Sequence, residues 1–448
     1  MKKKGFTLIE LLAVILILGI IALIAIPTVN NIISEARMGA FKSGNEVIIK
    51  SIEESCQMDL IKGKNPVLSY VFTDGKSSNK IDVKGSLPKD GYIFLDNNCN
   101  VNNYYLADNN NVYSNSDDVR KDYMIKAPNN DNNSILSELY NSYYNKIKNV
   151  YVINHLNISE SAIEIKDILV SQNGKIKSWL IEDGEYYDLY IGSEKLIYTN
   201  YNSSSLFANL ENVQNIYLDN LSTSFSTNLQ YFFYNNMLLE NVDVSKLDIS
   251  NATNIQWFFY KCNLLEKIEV EYWNTSNVTN MECLFDDCLS VKELKVSNWD
   301  TSSVVNMKAA FSDLVSITTL DISKWNTSKV TNMDYLFDGY DYGSNIKTID
   351  ISNWDVSNVT NMKNIFSNVN LEKIKINNWS LNSEVETGDM FLYADKLNYI
   401  ECSNVNTINL FSEGLLTKTT DAPGIIKVNG DKTGIDLTVL TAKNWNVI

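Results

Sequence analysis

Histidine is nearly absent. The 448 residues contain one, His155, in the run VINHLN. A lone imidazole without a nearby constellation leaves no Ser-His-Asp or Cys-His machinery unless His155 is itself the base, and it removes multi-histidine metal sites. The six cysteines include no C-x-x-C pair, so a zinc site has no support. No glycine-rich phosphate loop occurs. Paired carboxylates such as Asp286-Asp287 and Glu53-Glu54 read as solvated charges. We therefore expect a non-enzyme with no metal and no cofactor. Cationic residues are also short: 38 Lys and Arg face 54 Asp and Glu, a net charge of −16. That balance argues against a nucleic-acid partner and fits an extracellular surface. With five prolines, the turns rely on Asn instead.

What is abundant is repetition. Between about Leu206 and Phe411 one pattern recurs seven times, most clearly as WNTSNVTNMECLF (Trp273–Phe285), WDTSSVVNMKAAF (Trp299–Phe311), WNTSKVTNMDYLF (Trp325–Phe337) and WDVSNVTNMKNIF (Trp354–Phe366). Leu221–Phe233 and Leu247–Phe259 put Leu in the Trp slot, and Trp379–Phe391 is degenerate. The period is 26 residues, apart from steps of 29 from Trp325 to Trp354 and 25 from Trp354 to Trp379. A fixed period of this size marks an array whose copies bury their apolar faces on one another. Ahead of each anchor lies a strand-like pattern: Leu265, Ile268, Val270; Val291, Leu294, Val296; and so on through Leu371, Ile374, Ile376. Between them Glu269, Lys295, Asp321, Asp350 and Lys375 point to solvent. The N-M-x-x-x-F half suits one helical or 3-10 turn. Ser224, Ser250, Ser276, Ser302, Ser328 and Ser357 share one column, and Asn228, Asn254, Asn280, Asn306, Asn332 and Asn361 another; both read as turn residues satisfying backbone groups. The Trp column reads as stacked core.

The array resembles the BspA-like leucine-rich repeat of bacterial surface proteins, with KIKSWLIEDGEYYDLYIGSEKLIYTNYNSSSLF as its lead-in. The resemblance implies a leucine-rich-repeat-like β-solenoid at a cell surface, with adhesion as its role and a protein or glycan on host or neighbouring cells as its ligand.

At the amino-terminal end, MKKKG precedes an apolar run, Phe6 to Ile26, long enough to span a bilayer. Ala25-Ile26-Pro27 is no small-x-small cleavage site followed by polar sequence. Glu10 is a carboxylate inside the apolar run, expensive there and a functional candidate. KKKGFTLIELL resembles the start of type IV prepilins and pseudopilins. That resemblance implies that a prepilin peptidase cuts after Gly5 and methylates Phe6. Glu10 would then pair with the Phe6 amine of a neighbouring pilin subunit, and Pro27 would kink the helix. Buried opposite charges tolerate low dielectric when paired.

Val29, Ile33, Ala36, Ala40, Val47 or Ile48, and Ile52 continue the helical period, so a stem over 6–60 would be about 80 Å long. Short apolar runs and turn clusters predict a small antiparallel sheet over 61–126; within it GSLPKDGYIFLDNNCN resembles the globular domain of Gram-positive pilin-like proteins. A linker and short helix (Leu136 to Ile147) follow over 127–149, then a cap over 150–206, repeats over 207–411 and a second cap over 412–448. The fold class expected is α+β. Cys56 and Cys99 could staple stem to sheet. Cys262 and Cys288 lie one period apart, about 4.8 Å if stacked, within disulfide reach; they read equally well as small buried hydrophobes.

The expectation is a type IV pilin-like subunit, minor or at a tip, first in the inner or cytoplasmic membrane and then in an extracellular pilus. The alternatives are a pseudopilin of a secretion or DNA-uptake machine, or a membrane-tethered surface protein whose Gly5-Phe6 bond stays uncut.

Overall fold

A computed structural model describes Ala40, residues 42–62, parts of 66–125, and residues 135–168 and 175–448. The leader, the apolar run and Pro27 lie outside the described residues. Among the described residues no helix is long and apolar enough to cross a membrane. The architecture is mixed α/β, mostly strands with few helices. The chain divides into two compact units, Met1–Asp118 and Val119–Ile448.

In the first unit, helix α1 (residues 42–61) carries Ile48, Ile52 and Cys56 at four-residue steps, which places them on one stripe. All three are buried, whereas Val47 is exposed. The stripe packs on an antiparallel sheet of β1 (Ser69–Thr73), β2 (Lys76–Ser77), β3 (Asp90–Leu95), β4 (Val101–Ala107) and β5 (Val112–Ser114), in the order β2-β1-β3-β4-β5. Tyr70 and Phe72, Ile93 and Leu95 face the helix, two residues apart as one face of a pleated strand requires. A disulfide joins Cys56 to Cys99 across a Cα separation of 5.6 Å, and Val101 N–H donates to Glu53 Oε1 at 3.1 Å.

The second unit starts ahead of residue 126, because Ile125 N–H donates to Tyr198 O at 3.0 Å and its side chain joins that unit's core. Where one helix over 136–147 was expected, α2 covers Ile135–Leu139, a 3-10 turn covers Tyr144–Lys146, and β6 (Ile147–Ile153) begins at once. β7 (Ile163–Asp167), β8 (Lys177–Asp183) and β9 (Tyr186–Gly192) follow, then β10 (Ile197–Tyr198), β11 (Asn215–Tyr217), β12 (Leu221–Ser222) and β13 (Asn241–Val242). Six of these form a mixed sheet, β13-β11-β6-β9-β8-β7. β8 and β9 turn about Gly184, whose φ of +67° a glycine adopts at no steric cost. From β9 the order runs parallel through β6 and β11 to β13, so the cap hands its register directly to the repeats.

The repeats stack copy on copy through one continuous core. Trp273, Trp299, Trp325 and Trp354 stack with ring centroids 6.0–6.4 Å apart. Each indole N–H donates to a carbonyl of the copy before, Val244, Val270, Val296 or Ile322, at 2.9–3.1 Å. The phenylalanines from Phe233 to Phe391 form a second column at 5.5–6.0 Å. Parallel bridges run Asn202–Asn228–Asn254–Asn280–Asn306–Asn332–Asn361, and Phe207 stacks on Phe233. The array therefore begins one copy earlier than the seven, at Asn202.

The N-M-x-x-x-F segment is not a right-handed turn. Cys283 and Asp287 have φ of 50° and 60°, and the N–H groups of Met281, Cys283 and Phe285 donate forward to Asn306, Lys308 and Ala310 at 2.8–3.1 Å. A helical turn would aim those donors along its own axis; here the chain bridges to the next copy with two left-handed residues four apart, Cys283 and Asp287. The strand side is correspondingly looser. Between β13 and β14 (Thr348–Asp350) it holds, among the described residues, isolated bonds such as Lys292 N–H to Glu266 O at 3.2 Å and the bridge Thr319–Thr348. The expected strand in every copy is absent there. Its apolar residues are still buried.

Pairing resumes in a parallel sheet, β14, β15 (Lys373–Lys375), β16 (Tyr399–Cys402), β17 (Gly424–Val428) and β18 (Trp445–Val447). Helices α3 (Val405–Ser412) and α4 (Leu437–Ala442) take the place of the Phe turns. Asn404 and Asp436 cap them, accepting from Thr407 and Thr438 N–H. Residues 412–448 thus add β17 and β18 to the same sheet.

Candidate functional site

Period-2 alternation gives the strands one buried and one exposed side, and on the six-stranded sheet the exposed side is aromatic. Tyr190, Tyr151 and Tyr217 lie opposite one another in β9, β6 and β11. Their rings stack at 4.8 and 4.9 Å, and Trp179, itself buried, closes the row at 5.6 Å from Tyr190. Two residues earlier in each strand runs a polar row. Asn149 Nδ2 donates to Asp188 Oδ1 at 2.8 Å, Asn215 Nδ2 to Asn149 Oδ1 at 2.7 Å, and Asn241 Nδ2 to Asn215 Oδ1 at 2.8 Å. Burial, then the charge of Asp188, pushes the Tyr151 hydroxyl up to about 12, so it acts as a neutral hydrogen-bonding group.

The row opens into a groove of about 710 Å³ where strand pairing lapses, lined by Tyr217, Asp219, Asn241, Asp243, Glu266, Lys267 and Glu269 among others. A neighbouring hollow of about 360 Å³ holds Tyr272 and Lys295, and Tyr272 is 82% exposed. The hydroxyl of Ser245, then its N–H, holds the Asp243 carboxyl below its usual range. Further along, the outward residues pair with each other: Lys267 with Glu269 at 2.6 Å, Lys375 with Asp350 at 3.3 Å, and Lys427 with Glu401 at 3.5 Å. Exposed pairs of this kind contribute little stability; they leave the face near neutral between its acidic patches.

The other singled-out residues are accounted for locally. Oδ1 of Asn228, Asn254, Asn280, Asn306 and Asn332 accepts from the N–H two residues on at 3.0–3.2 Å. In the Ser column, Ser250, Ser276, Ser302, Ser328 and Ser357 donate their N–H to the Asp or Asn two residues before. His155 is exposed, and its Nδ1 accepts from Asn157 N–H at 3.3 Å. Cys262 and Cys288 are free thiols, not a disulfide. Each donates S–H to a carbonyl of the preceding copy, Phe233 or Phe259, at 3.2 Å, which turns the sulfurs along the stack. Asp287 is 3% exposed, so the expectation that Asp286-Asp287 is a solvated pair fails. Gly5, Phe6, Glu10 and Pro27 lie outside the described residues.

Residues 1–26 match the prokaryotic N-terminal methylation motif. The amino-terminal part of the chain is similar to a pilin. It resembles the type IV major fimbrial protein FimA of Dichelobacter nodosus, 41% identical over 72 residues, which is 16% of this chain and 46% of that protein. The chain spans about half the length of that curated relative. Over the repeats, residues 201–294, 257–349 and 285–405 match the family described as Mycoplasma protein of unknown function, DUF285. That description names a repeat family of the same stretch without assigning it a leucine-rich fold. No solved structure matches the chain.

Proposed function

We propose that this chain is a type IV pilin-like subunit that presents a repeat array for recognition at a surface. The observation that carries this reading is the N-terminal methylation motif, with the FimA similarity beside it. On this reading a prepilin peptidase cleaves after Gly5, the subunit waits in the membrane through its apolar run, and it then joins other pilin subunits in an extracellular fibre. The stacked repeats form a leucine-rich-like solenoid that binds and does not catalyse. The 330 residues of the second unit are bulky for every position of a thin fibre, which favours a minor or tip subunit. On the array, the tyrosine row beside the Asn149–Asn215–Asn241 row suits a glycan. Aromatic faces pack against the apolar face of a sugar ring, and amides supply both donors and acceptors to its hydroxyls.

The test is to shear cells and take mass spectra of the fibre and membrane fractions. A peptide beginning at methylated Phe6 in the fibres is the expected result. An intact Met1 terminus confined to membranes would replace the pilin reading with that of a tethered repeat protein.

A further inference from the structure

The residues that follow the Phe column form an acidic stack. Two places after Phe285 and Phe311 stand Asp287 and Asp313; one place after Phe285 and Phe337 stand Asp286 and Asp338. One carboxylate oxygen from each of Asp286, Asp287 and Asp313 lies within 4.8 Å of the other two. Asp287, Asp313 and Asp338 are 3%, 4% and 3% exposed. Asp313 is held in place: Tyr342 N–H donates to its Oδ1 at 2.8 Å and Ser312 Oγ to its Oδ2 at 3.3 Å. Oδ1 of Asp287 and Oδ1 of Asp338, by contrast, are buried without a hydrogen-bond donor. Ser367 and the N–H groups of Gly339 and Tyr340 hold the rest of the Asp338 carboxyl, so the two orphaned oxygens beside the cluster are negative charge met only in part. Lys261 faces Asp287, but Asp341 adds a further negative charge from the rim.

Over this cluster lies the one long step of the array, from Trp325 to Trp354. Its extra residues form a loop at 339–344, and its Tyr342 N–H is the donor that fixes Asp313. Gly339 allows the loop to start: a Cβ there would lie 2.4 Å from Asn368 O and 2.5 Å from Ser344 N. The irregular copy and the orphaned oxygens are thus at the same place.

We infer that Asp286, Asp287 and Asp313, with Asp338 beside them, form a calcium site closed over by the 339–344 loop. The donors are carboxylate oxygens, which select hard cations over zinc or copper. Calcium binds oxygen at about 2.4 Å and so bridges ligands up to about 4.8 Å apart. Magnesium demands near-ideal octahedral geometry at about 2.1 Å and gives up its waters reluctantly, which suits a buried carboxylate cluster less well. Protons are the competing neutraliser. Burial, then the charge of Asp287, pushes Asp286 up to about 7; burial, then Asp313, pushes Asp287 up to about 6. These pKa values are raised on folding from the ordinary carboxylate value, so without a cation the folded state loses stability as pH rises from about 4 to about 7.

The test uses the full-length chain in detergent, stripped with EGTA and titrated at pH 7.5 with calcium chloride or magnesium chloride. Heat uptake and the thermal midpoint are followed, and terbium luminescence is excited through the tryptophans. The expected result is one calcium per chain at up to about 1 mM, the range of extracellular calcium modules. Binding should raise the midpoint, and magnesium should do so more weakly. Asp287→Asn should abolish the calcium response and the terbium signal while matching or exceeding the parent's midpoint in EGTA, because it removes an unpaired charge at constant shape. Asp338→Asn should weaken binding, and Asp300→Asn, at an exposed turn, should leave it unchanged. No response of the parent chain to calcium, with stabilisation by acid alone, would overturn the site in favour of shared protons. So would an Asp287→Asn chain that responds as the parent does.

Discussion

Tyr393 holds φ at 55° while its side chain is 62% exposed. It occupies the place after the Phe column that Asn235, Lys261, Asp287, Asp313 and Asn368 occupy in other copies, all left-handed. An L-residue there carries strain that glycine lacks, and a β-branched residue carries more. Tyr393→Gly should therefore be neutral or raise stability by up to about 1 kcal/mol, whereas Tyr393→Val should lower it by about 1 kcal/mol or more. Thermal unfolding of the two variants checks the sign. In a right-handed turn the order would reverse, since glycine costs about 1 kcal/mol in a helix interior. This backbone was hard to read from sequence because its usual marker is missing: the column holds Lys and Tyr as well as Asn and Asp, and no glycine repeats. The enrichment in Asn and Asp was the available signal. The same column hid the acidic cluster. Asp286-Asp287 looks solvated as a dipeptide, and its burial follows from the phase of the repeat, with Asp313 a period beyond Asp287.

At the scale of elements, the apolar stripe of α1 and the short apolar runs of β1, β3 and β4 between turn clusters were legible because each is a local pattern. The bounds of α2 and the two-residue β2 were not, since pairing partners decide them. The Cys56–Cys99 link closes a loop with a sequence separation of 43. On the chain-entropy account it disfavours the unfolded first unit by about 4 kcal/mol. Cys56→Ser should remove up to about that much, seen as an earlier unfolding transition of the first unit, with the transition of the second unit unmoved. Equal unfolding of parent and variant would mean that the helix is held by Ile48 and Ile52 alone. The repeats show the opposite division of labour. Their strand side looked like the stitched side, because apolar alternation is visible in sequence. The continuous ladder instead runs through the Asn bridges, where side chain and backbone both bind the neighbouring copy.

At the scale of the whole molecule, the array and the amino-terminal motif were both readable as patterns, one by its period and the other by an eleven-residue run from Lys2 to Leu12. They impose different requirements. The outward charges of the array stand in water, and several of them pair with one another. Glu10 has no such recourse, being a carboxylate inside an apolar run and therefore costly unless a cation meets it. The Phe6 amine freed by cleavage, on a neighbouring subunit, is that cation in the pilin-like reading. Glu10→Ala should then leave the subunit inserted in the membrane and cleaved after Gly5, yet absent from sheared fibres. Glu10→Gln, with the same shape but no charge, should be depleted nearly as far, because what is lost is attraction and not packing. Immunoblots of sheared and membrane fractions give the readout. Incorporation of Glu10→Gln at parental levels would show that shape alone sets the register, and would remove charge pairing from the assembly step while leaving cleavage and the repeat array untouched.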